Sequence, residues 1–283
     1  MTARSMKLGI FDSGLGGVMI ARAIREALPD IDLIYLGDTL HVPYGKRSEQ
    51  AIYTYTKACI EYLFAEQDCQ LIIMACNTAS ASALRKLQQI YLPQAYPERR
   101  ILGVVVPTIE YAIERGVQRI GLIGTNYTVH SNVYEEELRK INPAIEIFQV
   151  NTPLLVPLIE HGGMAWMESV LDHYILPLKE KGIEALILSC THYSFLKDII
   201  RERYGVDVIA QDEIVPAKLV EYLERHPELD GKIGRGSKEA FFITDLTENY
   251  AEKASAFYGA PVDLKVIEVS YGGVFRTAGS SVF

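Results

Sequence analysis

Leu71-Ile-Ile-Met-Ala-Cys-Asn-Thr78 is an apolar run of strand length that stops at a thiol and two small polar residues. A near copy, Ala185-Leu-Ile-Leu-Ser-Cys-Thr-His192, comes later in the chain. A second landmark precedes each. Lys7-Leu-Gly-Ile-Phe-Asp-Ser-Gly14 lies upstream of the first run and Arg119-Ile-Gly-Leu-Ile-Gly-Thr-Asn126 upstream of the other, each a basic residue, a short strand and a small polar turn. The basic residue precedes the cysteine by 69 residues in the first copy (7 to 76) and by 71 in the second (119 to 190). Two matched landmarks at nearly equal offset predict two similar α/β lobes. Each lobe then presents one Cys-bearing strand end to a cleft.

Further short apolar runs read as strands: Leu8–Phe11, Leu33–Leu36, Ile101–Val106, Ile120–Ile123, Ile145–Val150, Val206–Ala210, Ala240–Thr244 and Leu264–Val269. Helix-length amphipathic stretches separate most of them. In Ser48–Gln67 the residues Ile52, Tyr55, Cys59, Ile60, Leu63 and Phe64 share one face, with Ser48 as N-cap. Near-continuous apolar strands alternating with helices predict an α/β fold of mostly parallel sheets, flanked by helices on both faces. Ligands in such folds sit beyond the carboxyl ends of the strands, so the residues there deserve inspection.

Composition narrows the function. The chain has 283 residues, 49% hydrophobic and 23% charged, which suits a globular protein of about two domains. Its net charge of -8 opposes binding to nucleic acid. No apolar run is long enough to span a membrane, and Met1–Lys7 lacks a signal-peptide core, so a cytoplasmic protein is expected. Four Cys without an export signal do not make a disulfide framework.

Cys76 and Cys190 are the first candidates for chemistry. Each ends a strand before an expected helix start, where N–H groups and the helix dipole favour an anion and should lower a thiol pKa toward neutrality. The plain alternative is a small buried hydrophobe, which suits Cys59 and Cys69. Zinc held by Cys76, Cys190 and His192 is disfavoured, because no paired ligand spacing is present. The glycine-rich turn Phe11–Gly17 is a poor phosphate loop, since Met19 replaces the last glycine of that pattern and Asp12 repels phosphate. It reads better as a close approach to a small ligand faced by Asp12 and Ser13, or as a tight turn capped by Asp12. Gly37–Gly45 is a turn shaped by Pro43 and Gly45 in which Tyr44 could cover a pocket; as a bare pattern it is a loop. His192 could orient or protonate a group in the cleft. His41 and the remaining histidines have no comparable context, and Glu160 reads as a solvated helix-end carboxylate.

Together, Phe11-Asp-Ser-Gly-Leu-Gly-Gly17, Asp38-Thr39 with Pro43-Tyr-Gly45, Ala75-Cys-Asn-Thr-Ala-Ser80, Gly124-Thr125 with Thr128-Val129, and Cys190-Thr-His-Tyr193 resemble the glutamate racemases of the aspartate/glutamate racemase superfamily. The resemblance runs from residue 8 to 193 in the family's order, and His192, where aspartate-type relatives carry Glu, favours glutamate. It implies an isomerase without metal or organic cofactor that interconverts L- and D-glutamate for peptidoglycan synthesis. One cysteine thiolate would take the Cα proton and the other thiol would protonate the opposite face. By the same resemblance Asp12, Ser13, Pro43, Tyr44, Gly45, Asn77, Thr78, Thr191 and His192 hold substrate, and N–H groups after each cysteine receive its carboxylate. Asp12 would assist Cys76 and His192 would assist Cys190, with Glu160 behind them. Residues 1–98 plus 210–283 would form one lobe and 99–209 the other. A homodimer is left open. Thr108, Thr152, Ser194 and Gln211-Asp212 depart from the family's Gly, Cys, Pro and Asp-Ser. The rival readings are an aspartate or broad-specificity amino-acid racemase, a non-catalytic amino-acid-binding regulatory protein, and an amidase using one nucleophilic cysteine.

Overall fold

The computed structural model describes residues 6–271; the expected lobe segments 1–5 and 272–283 lie outside the described residues. Among the described residues, ten strands form two parallel sheets. β1 (Lys7–Asp12), β2 (Leu33–Gly37), β3 (Cys69–Met74), β4 (Arg100–Gly103), β9 (Glu239–Ile243) and β10 (Leu264–Val266) build a six-stranded sheet ordered β10-β9-β2-β1-β3-β4. β5 (Arg119–Gly124), β6 (Glu146–Asn151), β7 (Ala185–Ser189) and β8 (Asp207–Ala210) build a four-stranded one ordered β6-β5-β7-β8.

The repeat is visible in this topology. β2-β1-β3 in one sheet corresponds to β6-β5-β7 in the other, so each cysteine follows the strand beside a central one. Both faces of each sheet are covered, because successive strand residues point to opposite sides. Leu8, Ile10, Leu71 and Ile73 pack in one cluster, Phe11, Ile72 and Met74 in another. In the second sheet Ile120, Leu122 and Ile187 lie on one face, Ile123, Leu186 and Leu188 on the other.

All ten expected strands form, but three are shorter, β8 by a single residue since it begins at Asp207. The run Ile101–Val106 stops being a strand at Gly103, and Val105–Glu114 is a helix. Pro107 sits in that helix's first turn, where its missing N–H has no intrahelical role. The last strand ends at Val266 rather than Val269. β4 pairs with β3, so the chain leaves the first sheet after Gly103 and not at the expected 98/99 boundary. The helix Glu49–Ala65 carries the expected stripe, and Ser48 Oγ accepts from Ala51 N at 3.3 Å. No helix among the described residues is long and apolar enough to cross a membrane.

Candidate active site

Cys76 follows β3 and N-caps the helix Asn77–Lys86, with its Sγ accepting from Ala79 N at 3.4 Å. Cys190 follows β7 and precedes a 3-10 turn, Thr191–Leu196. Both thiols are buried, and both line one cavity of about 740 Å³, a size suited to a small molecule. Ser13, Pro43, Tyr44, Gly45, Asn77, Thr78, Glu160, Thr191 and His192 line it too, so nine of the ten other expected site residues, all but Asp12, share this one cavity.

The two sheets meet here through specific contacts. A Cβ on Gly16 would lie 2.4 Å from Thr191 Oγ1 and 2.7 Å from His192 Nδ1, so glycine is what lets the first lobe's turn approach the second lobe. Thr191 Oγ1 donates to Asp12 Oδ1 at 3.4 Å. Thr78 and Thr125 share a hydrogen bond of 2.9 Å across the same gap.

The cysteines have different neighbours. Cys76 Sγ lies 3.2 Å from Ser13 Oγ. Burial, then the Asp12 carboxylate, push its thiol up to about 12, against the help of Ser13 and Ala79 N–H. The sequence-based expectation of a thiol near neutrality therefore does not hold for Cys76, because the helix terminus competes with a dry site and a nearby carboxylate. Cys190 Sγ lies 3.9 Å from His192 Nδ1. His192 Nε2 in turn lies 2.8 Å from Glu160 Oε1 as an ion-pair contact, though not aligned as a directed hydrogen bond. Burial works against the imidazolium, but Cys190 and Glu160 outweigh it and push His192 up to about 10. Burial likewise opposes the Glu160 carboxylate, yet His192 and Lys253 hold it below the usual range. Glu160 ends the helix Leu155–Glu160 and is half-buried, paired with His192 where its sequence context suggests a free carboxylate in solvent.

Asp12 sits behind the cavity wall instead of facing a ligand. Its Oδ2 accepts from Gly14 N at 3.2 Å and Gly17 N at 3.1 Å, which closes the glycine-rich turn. Burial raises its pKa despite His192 and these N–H groups. Tyr44 lines the cavity while its hydroxyl donates to Asp38 Oδ2 at 2.6 Å. Asp38 is fully buried and also accepts from Thr244 and Tyr271 and meets His41, whose ring stacks on Tyr55 at 3.8 Å. His41 thus has a defined setting that its sequence context did not signal.

The sequence reading missed Thr247, Glu248, Asn249, Tyr250 and Lys253, which close the cavity from the first lobe's far segment, and His161 and Lys46. No motif marks them; only the chain's return to the first sheet through β9 brings them there. Among the described residues no group of three or more His, Cys, Asp or Glu is placed to hold a metal ion.

A family model described as Asp/Glu/Hydantoin racemase matches residues 18–214. A glutamate racemase of Dinoroseobacter shibae is 33% identical over 278 residues, covering 93% of this chain and 99% of the relative. One of Aquifex aeolicus is 37% identical over 265 residues, covering 92% and 97%. The crystal structure of a glutamate racemase from Francisella tularensis in complex with D-glutamate superposes with a TM-score of 0.83 at 28% identity, covering 93% of this chain and 98% of that one.

Proposed function

The chain belongs to the Asp/Glu/hydantoin racemase family, and on that premise we propose that it interconverts L- and D-glutamate with Cys76 and Cys190 as the two proton-transfer groups. One observation carries the reading: two thiols on separate sheets line a single cavity. Inverting a carbon needs a base on one face and an acid on the other, whereas a binding protein or a one-cysteine amidase has no use for the second sulfur.

The step balances without an external reagent. A thiolate takes the Cα proton, the electron pair left on carbon delocalises into the α-carboxylate, and the opposite thiol gives its proton to the other face. The enzyme ends with its thiol and thiolate exchanged. N–H groups at the start of the helix Asn77–Lys86 and of the turn after Cys190 would bind the carboxylate as negative charge builds on it. Ser13 would hydrogen-bond Cys76 sulfur, and His192, kept protonated by Glu160, would supply or receive charge beside Cys190. Pro43, Tyr44, Gly45, Thr78 and Thr191 would hold the rest of the substrate. Asp12, behind the wall, would act on Cys76 and on the substrate ammonium through its charge.

The two lobes would be the two sheets with their helices, residues 104–209 being inserted into the remainder after β4. The D-glutamate formed would supply peptidoglycan synthesis. The test is circular dichroism of L-glutamate incubated with purified protein, with L-aspartate in parallel. Ellipticity should decay to zero for glutamate. An unchanged signal overturns the reading, and faster decay for aspartate moves the assignment to the aspartate-type relatives.

A further inference from the structure

Two of the residues that depart from the family pattern, Thr108 and Gln211, meet in the structure, and they meet at Asn77, the residue after Cys76. Gln211 is the first residue of the helix Gln211–Arg225, just beyond β8 of the four-stranded sheet. Asn77 begins the helix after β3 of the six-stranded sheet. Their amides face head to tail. Asn77 Nδ2 donates to Gln211 Oε1 at 2.7 Å, and Gln211 Nε2 donates to Asn77 Oδ1 at 2.9 Å. Tyr134 OH donates to Asn77 Oδ1 at 2.7 Å and accepts from Gln211 Nε2 at 3.0 Å. Gln211 Nε2 also lies 3.4 Å from Thr108 Oγ1. All four side chains are buried, with none more than 2% exposed.

The hydroxyl of Thr108 sets the direction of this network. Its proton goes to Val104 O at 2.6 Å, so it offers Gln211 only lone pairs. Gln211 must therefore turn its NH2 toward Thr108 and Tyr134. Its carbonyl then faces Asn77 and accepts one Nδ2 proton. Asn77 Oδ1 is held by two donors, so the amide is locked against rotation by half a turn. The second Nδ2 proton has no partner among the described residues, and Asn77 lines the cavity.

We propose that Gln211, oriented by Thr108, is a positioning residue that fixes the Asn77 amide with an N–H donor available to the substrate carboxylate. A rotated amide would present its oxygen there and repel the carboxylate. The inference rests on the racemase reading for the identity of the ligand. Because Gln211 directly follows β8, the pair also ties the start of the Cys76 helix to the end of the four-stranded sheet.

The test is a double-mutant cycle. Gln211→Met keeps the length of the arm and removes both polar atoms. It should raise the KM for glutamate about tenfold or more, the effect of losing an aligned hydrogen bond to a charged group, with kcat changed much less. In an Asn77→Ala background the same change should cost less than about twofold, since the residue it acts through is gone. Thr108→Val, which removes the orienting acceptor together with the hydroxyl's bond to Val104 O, should shift KM in the same direction and also lose its effect in Asn77→Ala; it serves if Gln211→Met fails to fold. Equal costs with and without the Asn77 side chain, or an unchanged KM in the folded variants, would overturn the proposal. Wild-type protein that does not racemise glutamate would instead sink the functional reading. The cycle read on unfolding midpoints then tests the lock alone: coupled midpoints sustain it and additive ones overturn it.

Discussion

Cys190 and Glu160 together favour the His192 imidazolium, and replacing Glu160 by Gln isolates the carboxylate's share. The two side chains meet at 2.8 Å between Nε2 and Oε1, with the charge centres further apart. Unit charges about 4 Å apart interact by about 4 kcal/mol at an effective dielectric near 20. Glu160 leaves 32% of its side chain exposed, and solvent screening reduces that to roughly 2 kcal/mol. On an imidazole titration this is about 1.5 pH units. His192, pushed up to about 10 in the intact protein, should then titrate between about 8 and 9. The sign for stability follows. A folded-state pKa above the unfolded 6.5 gives a contribution that is complete below 6.5 and lost as pH rises through the folded value. The intact protein keeps part of it almost to pH 10, and the Gln variant loses it about 1.5 units sooner. Denaturation of both proteins from pH 6 to 10.5 should show a gap of roughly 2 kcal/mol near neutrality that closes toward pH 10, and NMR should follow the His192 ring directly. A gap independent of pH, or a His192 that titrates alike in both proteins, would refute the reasoning.

Three further outcomes are expected. In D2O, Cys190→Ala should exchange the α-hydrogen of D-glutamate but not of L-glutamate, and Cys76→Ala the reverse, neither variant racemising; equal labelling of both enantiomers would point to a single mobile base. Alkylation of the free enzyme should modify Cys190 ahead of Cys76, whose thiol is pushed up to about 12, and ahead of the fully buried Cys59 and Cys69, with glutamate protecting; peptide mapping that finds Cys59 or Cys69 first contradicts the site. Gly16→Ala places a methyl within 2.4 Å of Thr191 Oγ1, so the lobes must shift, and kcat/KM should fall about a hundredfold; an unaffected rate would show that this approach is not needed.

The sheets were legible because strands buried on both faces leave continuous apolar runs, and the offset from Lys7 to Cys76 and Arg119 to Cys190 exposed the repeat. Val104–Val106 misled because a short apolar run has the same look in a strand and in the first turn of a buried helix. Cys76 and Cys190 could be found by their place at strand ends. The state of the Cys76 thiol could not, since it depends on burial and then on Asp12, which is 64 positions away in sequence (12 to 76) and adjacent only in the fold. Glu160 and His41 likewise acquire their meaning from His192 and Asp38, partners that no local pattern names. The departures at Thr108 and Gln211 looked unrelated along the chain and prove to be neighbours.

The repeat supplies matching backbones but not matching charges. Each cysteine leaves a strand beside a central one, yet Cys76 has a hydroxyl and a buried carboxylate for company while Cys190 has an imidazolium backed by a carboxylate. For a racemase this asymmetry meets a strict constraint. The two enantiomers have equal free energy in water, so the equilibrium constant between them is unity. The ratio of kcat/KM in the two directions must equal that constant, whatever the cysteines' surroundings. Unequal surroundings therefore have no way to favour one enantiomer overall. They can only divide the same kcat/KM differently between binding and turnover, one enantiomer being held more tightly and released or converted more slowly. With Cys76 and Cys190 as the proposed proton-transfer pair, the burial of Asp12 and the pairing of Glu160 with His192 would set which protonation state of the pair waits for substrate, and not the direction of the reaction.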